Sequence, residues 1–484
     1  MPPLDSPPRI DVMAGTGRPK SHPSVSPLTD RGDVAGGRKP SSPCLGPIAS
    51  GQDGRAPVIP LKNAPLELCP DACAVSLPLP ASRSRLPSLS CLPSLSRLLR
   101  DRLPLHAAVL LGLELGFFVF LVAGAHGAIV PLDRPSSTDF LSFYAAGVLA
   151  HAGTPWLAYD RTAHHAAEQA LAGAGVAYNY FYYPPIFLAI CAQIARLPYL
   201  PAYVLFQAAT GIACFFAARA IRRDLPWYVF LAFPAFWWTI GTGQNALATA
   251  ALFAAGTAAI DRRPWLAGVC FGALCYKPHL GLLIPVALIA GGHWRAIAAA
   301  AVTVLTLTAG SVALFGAAAW QAFFSAAAAP AKVYAAQAIF MGGLTSPYGV
   351  AMTLGLNREA SIALQCVVIG LTGWIVARVW CAGAPLPARA AILLAATPVA
   401  VPVAMFYDLM LVFVALLWLS RLRPAPSWLW PAMAAVFVLP LFSGNLSTDT
   451  PMFLAAISAA ACFATVLAAV AGPVWSGRLV SSPA

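Results

Sequence analysis

Carboxylates and imidazoles crowd one stretch of a chain that is otherwise poor in ionisable side chains. Asp133, Asp139, His151, Asp160, His164, His165 and Glu168 all fall within residues 125–182. The stretch runs through Ser137-Thr138-Asp139-Phe140 and closes on Phe181-Tyr182-Tyr183-Pro184-Pro185. Carboxylates and imidazoles are the groups that accept and return protons near neutral pH. Asp139 stands out because Phe140, Phe143 and Tyr144 surround it. A carboxylate against apolar surface loses hydration, holds its proton more tightly and becomes a better base. The same residues also suit a helix N-cap, with Thr138 or Asp139 opening a helix through Ala150. Both readings stand at this point.

Other candidates sit singly in apolar sequence. Asp408 follows Tyr407 at a helix start, where it would hold a basic or hydroxylic group or cap the helix. Lys277-Pro278-His279 puts a cation in a greasy run, and such a cation needs an anion or water beside it. A bound phosphate would serve, as would Glu114, the one carboxylate of the first apolar run. Gln244 and Asn245 end a Gly-rich turn, where their amides would bond exposed backbone, a sugar, or nothing beyond the turn itself. Tyr182 and Tyr183 are placed to stack on a ligand or to anchor the chain at a membrane interface. Asp160 is a candidate for binding or for ordering its loop, and Arg358 is a candidate cation in a later loop.

The elements that must position these residues are membrane helices. Of 484 residues 59% are apolar and 10% charged, against about a quarter charged in a soluble domain, and mean hydropathy is +0.72. Apolar runs recur from about 104 to 471, which predicts an all-α polytopic membrane protein. The net charge of +12 is no nucleic-acid footprint. Its arginines cluster at the ends of apolar runs (Arg219, Arg222 and Arg223; Arg262 and Arg263; Arg421 and Arg423), where they anchor helices and meet lipid head groups. The eleven cysteines are scattered, so neither a disulfide framework nor a metal site is implied. No nucleotide-binding or metalloprotease motif occurs.

In chain order, residues 1–95 are rich in Pro, Ser, Gly and Arg and read as a disordered cytoplasmic tail. No methionine lies between Met13 and Met341, which leaves open a start downstream at a non-Met codon. Arg97, Arg100 and Arg102 put the start of the first helix, 104–124, in the cytoplasm, so 125–182 forms a first outer loop. Helices are expected at 183–197, 201–220, 226–240, 245–260, 265–290, 296–316, 361–380, 388–406, 408–420, 428–442 and 451–471. Residues 317–360 form a second outer loop with Trp320, Lys332, Tyr334, Asn357, Arg358 and Glu359, and 472–484 a cytoplasmic tail. The stretch 265–290, broken at Lys277-Pro278, is long for one span and short for two. As one span it puts Arg222, Arg223, Arg262 and Arg263 outside. As two it puts them inside only if 183–220 crosses an odd number of times. About twelve crossings result.

The motifs Asp139-Phe140…Tyr144-Ala145-Ala146…Gly153-Thr154-Pro155…Tyr159-Asp160, Tyr183-Pro184-Pro185, Gly243-Gln244-Asn245, Ala267-Gly268…Gly272…Lys277-Pro278 and Tyr407-Asp408 follow one another in this order. Together they resemble glycosyltransferase family 87, a family of polyprenyl-phosphate-sugar-dependent membrane mannosyltransferases, over residues 104–471. The resemblance implies a C-type glycosyltransferase bundle with its site at the outer face of the cytoplasmic membrane. It implies a polyprenyl-phosphate hexose, commonly mannose, as donor, and an essential aspartate that maps to Asp139. A histidine used by the family's mannosyltransferase has no counterpart in 317–360, which contains none.

On that reading Asp139 takes a proton from an acceptor hydroxyl, on a lipid or glycan, and the phosphate leaves with inversion. Tyr182, Tyr183, Gln244, Asn245, Lys277, His279, Arg358, Tyr407, Asp408 and Asp160 are candidate binding residues. No cofactor is required, and a divalent metal is optional. Two other classes stand beside it. A lipid or solute transporter would line a path to both faces with polar groups, whereas a transferase gathers them on one. A scaffold subunit would bury Asp139 in a salt bridge away from any cavity.

Overall fold

A computed structural model describes residues 102–120, 138–328, 341–443 and 453–475. The expected tail 1–95, Asp133, Lys332, Tyr334 and the 472–484 tail beyond Trp475 lie outside the described residues. Among those described, regular structure is helical throughout, with one isolated antiparallel bridge between Leu344 and Met405.

The chain begins with α1 (Leu103–Val119), then builds a layer of short helices: α2 (Asp139–His151), α3 (Arg161–Ala172) and α4 (Pro185–Ile194). The first outer loop therefore carries its own helices. Next come α5 (Tyr199–Ile221), α6 (Trp227–Leu231), α7 (Pro234–Thr242) and α8 (Ala246–Ala259). The expected 226–240 helix is cut in two at Pro234, which cannot continue a hydrogen-bond ladder but fits a helix start. α9 (Pro264–Ala273) and α10 (Ile284–Ala290) are joined by two 3-10 turns around Lys277 and Pro278. The 265–290 stretch is thus two helices.

α11 (Trp294–Ala327) runs past the expected end at 316, with a bend at Gly316, whose φ is 74°. This removes eleven residues from the expected second outer loop, and α12 (Pro347–Thr353) takes more. The rest is α13 (Arg358–Cys381), α14 (Leu386–Ala400), α15 (Met410–Leu419), α16 (Leu429–Val438) and α17 (Leu454–Trp475). α14 stops short of the expected 406, and the extended and 3-10 chain that follows carries Tyr407 and Asp408.

Three helices, α5, α11 and α13, are each long and apolar enough to cross a membrane, and most of the others are shorter apolar helices. Their outward faces are greasy: Leu200, Phe216, Leu305, Leu314 and Val367 are exposed. Such a surface is stable against lipid and not against water. The described core has two apolar clusters, a large one centred on α14 and α15, nearly all of whose side chains are buried, and a smaller aromatic-rich one around α2 and α4.

The bundle has two ends of different character. At one, Arg222 donates to Ser420 Oγ at 3.1 Å and Arg421 to the Ile221 carbonyl at 2.7 Å. There too Arg389 binds Asp261 at 2.6 Å and contacts His293 Nε2 at 3.1 Å. At the other end lie Gln244, Lys277 and Asp408. α5, α8, α9, α10, α14 and α15 each run between the two. α4 does not, although it was expected as a crossing. It lies alongside α2, Phe187 packing on Phe143 with ring centres 5.0 Å apart. Gly147 permits this contact, because a Cβ there would collide with the Cys191 carbonyl.

Candidate active site

Asp139 opens α2, with Thr138 extended at the N-cap position and making no side-chain cap. The helix start expected there is real, and the carboxylate points elsewhere. Asp139 Oδ2 accepts a hydrogen bond from Gln244 Nε2 at 2.9 Å. Gln244 sits one residue after Gly243, which ends α7 in the left-handed region at φ 70°. A Cβ on Gly243 would lie 2.5 Å from the Cβ of Phe140, so glycine lets the turn come down on the start of α2. That contact carries Gln244 to Asp139.

Gln244 is the hub. Its Oε1 accepts from the Tyr183 hydroxyl at 3.0 Å and from the Asn245 backbone N–H at 3.1 Å, and its Nε2 also reaches the Tyr407 hydroxyl at 3.2 Å. Gln207, inside α5, donates to the Gln244 carbonyl at 3.1 Å. Tyr407 in turn lies under Lys277, whose Nζ is 5.1 Å from the ring centre. Lys277 Nζ donates to Asp408 Oδ1 at 2.6 Å, and both residues are buried. Asp408 Oδ2 accepts from the Met405 N–H at 3.1 Å. Both expectations for Asp408 hold, since it receives a cation and caps its turn. Lys277 is paired with Asp408, not with Glu114. Glu114 is buried in α1 beside Trp237, but that indole N–H is committed to the Leu231 carbonyl.

The two carboxylates thus differ. Asp408 is closed off with its cation. Asp139 is half-buried, so part of its surface stays accessible. Burial pushes the Asp139 carboxyl above the usual carboxylate range. The Gln244 amide and the Lys277 charge pull it back, and the Asp408 charge raises it again. A carboxylate so placed is accessible, anchored by a neutral donor and more basic than one in water. It can take a proton from a hydroxyl brought to it.

Tyr183, Gln244, Asn245, Lys277, Tyr407 and Asp408 all meet around Asp139. His279 follows Lys277 on the same 3-10 turn and is exposed. Three candidates lie elsewhere. Asp160 caps α3, accepting from the Ala163 N–H at 2.8 Å. Tyr182 is 49% exposed and stacks on Tyr180, ring centres 5.2 Å apart, whereas Tyr183 is buried and bonds Gln244. Arg358 begins α13 and is exposed. Gln207 was not anticipated, although an amide inside an apolar helix was its signal. The Tyr276–Thr249 hydroxyl contact of 2.6 Å beneath the site had no signal in the sequence.

No group of three His, Cys, Asp or Glu side chains among the described residues could hold a metal ion. Beside Pro278 an open groove of about 420 Å³ runs between α9, α10 and α11. Its walls are apolar and include Phe271, Gly281, Ile284, Ile297 and Val304.

Comparison with curated proteins and with solved structures returns no match. The sequence model of glycosyltransferase family 87 matches residues 181–402. This segment holds Tyr183, Gln244, Asn245 and Lys277, while Asp139, Tyr407 and Asp408 flank it. The match supports an assignment to glycosyltransferase family 87 over that segment, and the cluster around Asp139 is the candidate active site.

Proposed function

We propose that the protein transfers a hexose, mannose first among the candidates, from a polyprenyl-phosphate donor to a lipid or glycan acceptor. The reaction takes place at the outer face of the cytoplasmic membrane and inverts the anomeric carbon. The observation that carries this reading is Asp139, an accessible carboxylate held by an amide and set apart from the neutralised Lys277–Asp408 pair. The acceptor oxygen attacks the anomeric carbon while Asp139 takes its proton, and the carbon–oxygen bond to phosphate breaks with its electron pair going to the phosphate. That leaving group is stable as an anion, so no general acid is needed. His279 is exposed on the turn where the groove begins, which suits a phosphate at the turn with its isoprenoid chain along the groove. The reading requires no cofactor, and a divalent metal is optional.

Membrane orientation supports the same reading. If α4 lies outside and α5 crosses, the stretch 183–220 crosses once. With α9 and α10 as separate crossings and α6–α7 as one, twelve crossings follow. The arginine-rich end, with Arg102, Arg222, Arg223, Arg262, Arg263, Arg389 and Arg421, is then cytoplasmic, as the positive-inside trend requires. Asp139 then faces outward, where nucleotide sugars are absent and a lipid-carried donor is needed.

The test is transfer by purified protein from polyprenyl-phosphate mannose and polyprenyl-phosphate glucose, beside nucleotide sugars, to membrane-extract acceptors. Transfer from a lipid phosphate supports the proposal, and transfer from nucleotide sugars alone overturns it. Orientation is tested by impermeant thiol labelling of Ala174→Cys, an exposed position after α3. Protection in intact cells would put the site inside.

A further inference from the structure

Asn245 stands at the start of α8, in the position where an asparagine ordinarily caps a helix. Here it does not: its side chain makes no cap hydrogen bond. It is fully buried, and neither its Nδ2 nor its Oδ1 has a hydrogen-bond partner. The Tyr183 hydroxyl is near enough to feel its dipole, but that hydroxyl is committed to Gln244 and no properly aligned bond joins the two. A buried amide left unpaired destabilises the fold, because it has given up water without gaining a partner. Leucine would fill similar space without that cost. The chain instead places two unmet polar atoms next to the residue that holds Asp139.

We infer that Asn245 is a specificity residue of the glycosyltransferase site, reading two adjacent hydroxyls of the transferred sugar through its unpaired amide. The chemistry favours hydroxyls over phosphate. A phosphate oxygen could accept from Nδ2 but would offer nothing to Oδ1, which needs a donor. Neighbouring ring hydroxyls supply both, one accepting from the amide N–H and the next donating to the amide oxygen. The unsatisfied N–H groups of the first turn of α8 add a positive dipole on the same side. A sugar seated here lies within reach of the Tyr183–Gln244–Asp139 chain of hydrogen bonds. The identification of the occupant as the donor sugar rests on the function proposed above.

Two measurements test it. The first needs no substrate: thermal unfolding of purified ligand-free wild type, Asn245→Leu and Asn245→Ala. An amide waiting for a ligand is a burden on the empty protein, so Asn245→Leu should unfold at the same temperature or higher. A clear fall would mean that the amide is satisfied within the fold, by protein or a structural water, and would overturn the inference. The second is transfer from polyprenyl-phosphate hexose and its four mono-deoxy analogues. Wild type should lose about 10- to 100-fold on two adjacent deoxy positions, and Asn245→Ala should be nearly indifferent to those two while slower with the parent sugar. Equal deoxy penalties in wild type and variant would remove Asn245 from sugar recognition. Should wild type use no lipid-phosphate hexose at all, the donor reading falls, and the unfolding comparison still decides whether the amide is vacant.

Discussion

At the arginine-rich end of the bundle, Arg222, Arg389 and Arg421 each have partners that hold them still. Arg389 binds Asp261, the Ala384 carbonyl and His293, and its guanidinium lies over Trp380. Arg222 pairs with Asp224 at 3.0 Å, and Arg421 with a helix-end carbonyl. At the opposite end the partners are mostly neutral amides and phenols, and they converge on a carboxylate that is only half-buried. Ion pairs at the first end fasten helix ends to one another. Hydrogen bonds at the second fix positions while leaving Asp139 without a counter-charge in contact, and so still able to take a proton. The Lys277–Asp408 pair belongs geometrically to the second end and chemically to the first. It is the anchor under the site.

That assignment of Lys277 predicts the largest effect. Lys277→Met leaves Asp408 buried without its cation, which should cost about 3–5 kcal/mol. A double variant, Lys277→Met with Asp408→Leu, should recover most of it, because removing both charges removes the unpaired one. Thermal unfolding in detergent reads both. If Lys277→Met unfolds like wild type and only donor affinity falls, the lysine is a ligand group and the contrast between anchor and site fails.

The next effect is catalytic. Asp139→Asn keeps the shape and a hydrogen-bonding side chain but removes the basicity. Turnover should fall roughly 10²-fold or more while the unfolding temperature holds. A variant that keeps most of its activity would move the base elsewhere, with His279 the first place to look.

How much of this was legible follows the same division. Asp139, Gln244, Lys277 and Asp408 announced themselves because polar groups in apolar sequence, beside turns, are costly without a purpose. Which of them would touch was not legible. Lys277 and Asp408 are 131 residues apart, and local sequence contains nothing that chooses Asp408 over Glu114 or a phosphate. Lys277-Pro278 marked where a helix breaks, whereas Pro234 was passed over inside the expected 226–240 helix. α4 was hidden for the opposite reason, since Pro185–Ile194 is as apolar as a crossing. Only its packing along α2, through Phe187 and Gly147, keeps it on one side. The second outer loop was drawn too long because the start of a bend at Gly316 reads like a helix end.

A third effect concerns the strap beneath the site. His164 and Glu168, buried on α3, face each other at 3.9 Å, and His164 Nε2 bonds the Ser142 carbonyl of α2 at 3.1 Å. Glu168 accepts from the Asn179 N–H at 3.2 Å, in the irregular segment that leads to Tyr183. Burial pushes Glu168 up to about 8 and pulls His164 down to about 4. The folded state then keeps a proton on Glu168 that the unfolded chain releases, so that contribution is full below about 4.5 and is lost as pH rises towards 8. His164 works the other way, costing stability as pH falls from 6.5 towards 4. Hydrogen exchange at the Asn179 amide, corrected for intrinsic rates, should show protection falling between pH 6.5 and 8. Glu168→Gln should flatten that fall. A flat profile in wild type would show that the strap does not titrate.

The smallest effect separates a carboxylate that orders from one that reacts. Asp160 and Asp139 both lie at the start of a helix between the spans, and from sequence either could have been a base or a cap. Asp160 uses its side chain on the Ala163 N–H at 2.8 Å, whereas Asp139 makes no cap and turns to Gln244. Asparagine caps about as well as aspartate, so Asp160→Asn should change stability by only a few tenths of a kcal/mol and leave turnover within about twofold. Asp160→Ala removes the cap and should cost about 1 kcal/mol, seen as faster proteolysis or exchange across Arg161–Ala172 before any change in overall unfolding. The ordering Ala worse than Asn is the signature of a cap. A base behaves differently, because Asn abolishes its proton affinity as fully as Ala does. Measuring both substitutions at both positions therefore gives a cross-check that needs no knowledge of the acceptor's identity. If Asp160→Asn proved as inactive as Asp139→Asn, the short helix α3 would have to join the active site, and the division between anchoring and reacting groups would need to be redrawn around it.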